Sequence, residues 1–218
     1  MQVAGELIKY SKLVYQKGFL AATDGNLSAR LPNGNILITG SSVCKGEIVE
    51  SDLVETDLDG NIITGNRKPS TESKLHYHIY KNRSDVNAVI HTHPVFALVC
   101  ASSNISMDKP YFPEVILSIG RIPTCKYATP STDALHRSLD PFIDYASVFL
   151  LQNHGAVATG RSIKEAFYRT DKLEHTARVI LEATKSGGIK PLLRYQIDEL
   201  YAIAGKSYGI SLHQKNRY

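Results

Sequence analysis

Cysteine is scarce in this chain of 218 residues: Cys44, Cys100 and Cys125 are the whole supply. An odd set without metal-type spacing argues against a disulfide framework and suits a reducing, cytoplasmic setting. Charge of one sign is also short. Lys and Arg total 25 against 21 Asp and Glu, a surplus of +4. That is too little to gather a polyanion, so nucleic acid is not an expected partner, while a small anionic substrate is compatible. Long hydrophobic runs are missing too. The most apolar stretch, residues 88–101, is interrupted by His91, His93 and Pro94, and no run reaches the length that crosses a bilayer. Residues 1–17 place Glu6, Lys9, Lys12 and Lys17 among apolar positions, without the apolar centre or cleavage site of a secretory signal. No repeat, low-complexity tract or linker divides the sequence, so one soluble domain over residues 1–218 is expected.

What is present is a succession of helix and strand signals. Val3, Leu7, Tyr10 and Val14 recur at helical spacing before Gly18, which predicts a helix over 2–16. Pro32-Asn33-Gly34 separates strands over 26–31 and 35–39 as a hairpin turn. Asp59-Gly60-Asn61 does the same for 53–57 and 62–64. A helix over 70–82 begins at Ser70, with Ser70, Thr71 or Ser73 able to cap it. Residues 86–93 are β-branched and read as a buried strand, and Pro94 opens a helix to 101. Strands over 122–127, 146–152 and 155–159 and helices over 132–139, 162–186 and 197–204 complete the pattern. The class is α/β: a mixed, largely antiparallel sheet between helical layers, α/β/α.

Four segments could carry chemistry. In Val89-Ile90-His91-Thr92-His93-Pro94 the two histidines lie two apart, so a strand points both imidazoles to one side. Imidazole is a favoured zinc ligand, and a catalytic zinc has three protein ligands and one open position; the plainer alternative is two polar residues on an exposed face. His154 closes an apolar strand just before Gly155, where it is either a turn residue or the third ligand. Ser70-Thr71-Glu72 opens a helix. That start can take a phosphate or act only as a cap, and Glu72 is either a first-turn acid or a carboxylate able to move a proton. Asp24-Gly25-Asn26 and Gly40-Ser41-Ser42 are small loops at strand ends, able to form N–H nests for a phosphate or to serve merely as turns. His76 and His78, two apart on a helix, face different ways, and His136, His175 and His213 are isolated.

Together, Gly25-Asn26-Leu27-Ser28, Ile38-Thr39-Gly40-Ser41-Ser42, Ser70-Thr71-Glu72, His91-Thr92-His93 and Asn153-His154-Gly155 resemble the class II sugar-phosphate aldolases of the L-fuculose-phosphate aldolase group, a family that includes the adducin head. The likeness implies Zn²⁺ on His91, His93 and His154. It implies Glu72 as catalytic acid/base that also touches the metal, and a phosphate cradle of Gly25, Asn26, Ser41, Ser42, Ser70 and Thr71. Tyr208 matches the family's tail tyrosine, which reaches an adjacent subunit's site; Tyr111, one residue from the ungapped match at Phe112, stands for the second tyrosine. Three imidazoles also accept Mn²⁺, Fe²⁺ or Co²⁺. The implied assembly is a homotetramer with sites at subunit interfaces. The implied reaction is cleavage of a short ketose 1-phosphate to dihydroxyacetone phosphate and an aldehyde. Decarboxylation of a 3-oxo-tetronate 4-phosphate and dehydration of methylthioribulose 1-phosphate are alternatives at the same metal.

Overall fold

The computed structural model describes residues 2–103, 105–208 and 212–218, with the side chains of Ser207 and Tyr208 outside the description. Its helices are α1 (Gln2–Gln16), α2 (Ser73–Asn82), α3 (Val95–Ser102), α4 (Pro113–Ser118), α5 (Asp133–Arg137), α6 (Ile163–Lys185) and α7 (Arg194–Ile203). Its strands are β1 (Asn26–Arg30), β2 (Ile36–Thr39), β3 (Leu53–Thr56), β4 (Ile62–Thr64), β5 (Ala88–Thr92), β6 (Thr124–Cys125), β7 (Val148–Leu151) and β8 (Gly155–Gly160). They form one sheet in the order β4-β3-β2-β1-β5-β8-β7-β6. Only β6–β7 is parallel; the other described pairs are antiparallel. The mixed, largely antiparallel α/β sheet is therefore as the sequence implies.

Strand alternation builds the layers. Leu27, Ala88 and Ile90 turn toward α1 and the start of α6, packing with Leu7, Tyr10 and Phe167. Val148, Leu150, Ala156 and Ala158 continue that face beneath α3, α4 and α6. Ile36, Ile38, Val89, Phe149 and Val157 turn the other way, onto Leu75 and Ile79 of α2 and Leu135 of α5. Full burial of each of the Leu, Ile, Val and Phe side chains among them stabilises the fold by roughly 1.5–3 kcal/mol. Val89 faces α2, so His91, two residues on, faces α2 as well.

Boundaries differ from expectation at α2, at β6 and at α7, which starts at Arg194 rather than at 197, and α4 is an additional element. Helix α2 starts at Ser73, with Glu72 as its N-cap residue; Gly40 pairs with Pro69 as a β-bridge, which holds the segment extended until Ser70 and delays the helix. Strand β6 is two residues long because Pro123 has no N–H to continue a ladder. Helix α4 was not foreseen, although Pro113 at its start and Glu114 in its first turn are both start signals. No helix among the described residues is long and apolar enough to cross a membrane.

Candidate active site

The site forms where the ends of β5 and β1 meet the N-terminus of α2. His91 lies on β5, fully buried, and His93 follows the strand. His154 sits in the three-residue loop between β7 and β8, where Asn153 takes a left-handed conformation at φ 54°, one that asparagine tolerates better than most residues. The three imidazole centroids stand 4.8, 5.0 and 5.4 Å apart. One ring nitrogen from each lies within 4.8 Å of the others, a grouping that could hold a metal ion.

Glu72 closes the group. Its Oε2 is 3.0 Å from His91 Nε2 and its Oε1 is 3.2 Å from His154 Nε2. Nδ1 of His91 donates to the Ala156 carbonyl at 3.0 Å. A neutral His91 carrying its proton there points the Nε2 lone pair at a carboxylate oxygen, and also at His93 Nε2, 3.2 Å away. A cation among them would satisfy these lone pairs and the carboxylate together. The donor set of three imidazoles and one carboxylate therefore fits a divalent metal. Burial, then the charges on His91 and His154, push His93 down to about 3, which keeps it in the neutral form a metal requires. Burial alone raises the Glu72 carboxyl, but when His154 and His91 are protonated their hydrogen bonds outweigh it and hold the group well below the usual carboxylate range.

Two of the segments singled out in the sequence reach Glu72. Asn26 Nδ2 donates to Glu72 Oε2 at 3.3 Å, and the Glu72 backbone N–H donates to Ser70 Oγ at 3.4 Å. The Ser41 N–H donates to the Lys68 carbonyl at 2.9 Å. Ser42, in the left-handed region at φ 58°, and Thr71 are exposed. Gly25, at φ 67°, packs so tightly that a Cβ would stand 2.7 Å from the His91 carbonyl oxygen. Tyr111 lies elsewhere, half-buried against the α3, α4 and α6 core, and no described contact joins it to the histidines. The Tyr208 side chain is outside the described residues.

Two residues passed over in the sequence belong here. Lys45, only 1% exposed, donates to the carbonyls of Thr23 and Val43 at 2.8 and 2.9 Å, fastening the Gly25 and Ser41 loops together; burial pushes it down to about 8. His76, fully buried on α2, lies between Asn26 and Ser28. Burial first, then the charge of His91, push it down to about 3 against the pull of Glu72. A buried lysine has no signature in the sequence, whereas His76 has one in its spacing from Glu72 and Tyr80.

Gly155 carries a further constraint. A Cβ there would stand 2.6 Å from His93 Cδ2 and 3.3 Å from His91 Cε1. Gly155→Ala is therefore expected to displace both rings, weaken metal uptake and cost about 1–3 kcal/mol of stability, as overpacking does; metal titration and urea unfolding measure the two effects.

Residues 5–181 match the family model for the class II aldolase and adducin N-terminal domain. The chain belongs to that family. It is accordingly an enzyme of the lyase type. It is 34% identical over 207 residues to the 5-deoxy-D-ribulose 1-phosphate aldolase of Bacillus thuringiensis, covering 94% of each chain. It is 34% identical over 179 residues to the 3-oxo-tetronate 4-phosphate decarboxylase of Pectobacterium atrosepticum, covering 80% of this chain and 82% of that one. A solved L-fuculose 1-phosphate aldolase superposes with a TM-score of 0.84 at 30% identity, covering 94% of this chain and 96% of that one.

Proposed function

We propose that this family member is a zinc-dependent aldolase. It reversibly cleaves a short-chain ketose 1-phosphate, of the fuculose or 5-deoxy-pentulose type, to dihydroxyacetone phosphate and an aldehyde. The clustering of three imidazole nitrogens, two of them against the Glu72 carboxylate, carries this reading. The likeness to the Bacillus enzyme over nearly the full length of both chains supports it. A bound divalent cation supplies Lewis-acid polarisation of the carbonyl and balances the negative charge left after C–C cleavage. Glu72 transfers the proton between carbon and solvent. The hydroxyls of Ser41, Ser42, Ser70 and Thr71, with the backbone at Gly25 and Asn26, hold the phosphate, and that remote grip positions the scissile bond. Tyr208 of a neighbouring copy, or Tyr111, donates to the aldehyde oxygen. A cytoplasmic homotetramer with sites between subunits completes the proposal, and the 218 residues act as one domain.

A second reading, decarboxylation of a 3-oxo-tetronate 4-phosphate, is favoured by the Pectobacterium relative. The two are separated by their products. Purified protein is incubated with a panel of ketose 1-phosphates and 3-oxo-acid phosphates, with dihydroxyacetone phosphate followed by coupled reduction and CO₂ by trapping. Dihydroxyacetone phosphate with an aldehyde is the expected outcome. Release of CO₂ alone overturns the aldolase in favour of the decarboxylase.

A further inference from the structure

Behind Glu72 the space between α2 and the sheet holds a continuous polar chain. Its members are Tyr80, Ser28, His76 and Asn26, every one buried. Tyr80 Oη is 2.8 Å from Ser28 Oγ, Ser28 Oγ is 2.6 Å from His76 Nδ1, and His76 Nε2 is 2.5 Å from Asn26 Oδ1. Asn26 Nδ2 ends the chain on Glu72 Oε2.

With Glu72 ionised and the buried His76 neutral, only one assignment of protons satisfies every link. The Glu72 carboxylate is an acceptor only, so Asn26 must present its NH₂ to it and its carbonyl oxygen to His76. His76 must then carry its proton on Nε2. Its Nδ1 has to accept from Ser28, whose oxygen in turn accepts from Tyr80. With the amide reversed, its oxygen would face the Glu72 carboxylate oxygen, two acceptors with no hydrogen between them, at a cost of about 1–3 kcal/mol. The direction of the whole chain is thus set, and it delivers an N–H to one chosen oxygen of Glu72.

From this we infer that His76 is a positioning residue for the reaction: through the Asn26 amide it fixes the orientation of the Glu72 carboxylate, with Ser28 and Tyr80 fixing the tautomer of His76. The role rests on the proposed function of Glu72, but the hydrogen-bond chain itself does not. His76 touches neither the metal ligands nor any substrate position.

The test has two arms. In the first, long-range ¹H–¹⁵N NMR of the metal-loaded protein reads the His76 tautomer directly. Neutral imidazole protonated on Nε2 is expected, shifting toward a tautomer mixture in Ser28→Ala; a proton on Nδ1 in the native protein overturns the inference, whatever the substrate proves to be. In the second, His76→Asn and His76→Gln are compared. Asparagine places no donor where Nε2 was, whereas glutamine does. His76→Asn is expected to keep its metal and its KM while kcat falls about 10–100-fold, the usual cost of losing an outer partner of a metal site, and His76→Gln to restore most of the loss. A metal-loaded His76→Asn with native kcat overturns the inference. If the native protein turns over nothing in the panel, the proposed function fails and the tautomer measurement alone decides the role of His76.

Discussion

Glu72→Gln is expected to cut turnover about 10²–10⁴-fold, the share that a positioned acid–base group contributes, while KM stays near its native value. Glutamine keeps the size of the side chain and one acceptor oxygen, but it cannot take up a proton. The Asn26 amide that now serves Glu72 Oε2 still finds an oxygen there, so the chain behind the site survives the change. Metal content, read by atomic emission on the same preparations, is expected to remain close to one ion per chain because His91, His93 and His154 are untouched. Turnover and metal lost together would show that Glu72 matters as a ligand and not as the proton carrier. Native turnover would remove it from the reaction.

The second large effect is expected at His154. His154→Ala deletes one of three nitrogens and leaves an opening beside a buried carboxylate, so metal affinity should fall by more than the ~10–100-fold that an outer partner costs. Activity should fall with it. A separate readout follows from linkage. An ion present at a hundred times its Kd stabilises the native protein by about 2.7 kcal/mol, and this gain should vanish in His154→Ala. Thermal melts with and without added Zn²⁺ measure it. A variant that still gains stability from the ion would place the metal on other residues.

Much of this site is legible in the sequence because it follows strand geometry. His91 and His93 are two apart on an apolar strand, and His154 precedes a glycine where a strand must turn; both patterns translate directly into position. The adjacency of the Gly40 and Pro69 loops is not legible, since it depends on an isolated bridge between segments far apart in the chain. That bridge moved the start of α2 past Ser70 and Thr71. His76 is the instructive omission. Comparing it with His78, two residues on, hides its partners, whereas Glu72, His76 and Tyr80 fall at four-residue spacing and share one stripe. Asn26 and Ser28, two apart, share one face of β1. A helical stripe of acid, imidazole and phenol opposite a strand face of amide and hydroxyl is a pattern that could have been found. Lys45 could not have been: only the fold shows that its ammonium is enclosed and held by two carbonyls.

The strand order has a consequence for when the ion can enter. Strand β5 lies between β1, made early in the chain, and β8, made late. As a nascent chain leaves the ribosome, His91 and His93 emerge well ahead of His154, and until the β7–β8 segment adds to the sheet they form a two-nitrogen site of little selectivity. The three-nitrogen site for the proposed ion is therefore complete only in the finished molecule. A messenger cut short before His154 would yield a product with His91 and His93 but without the third imidazole.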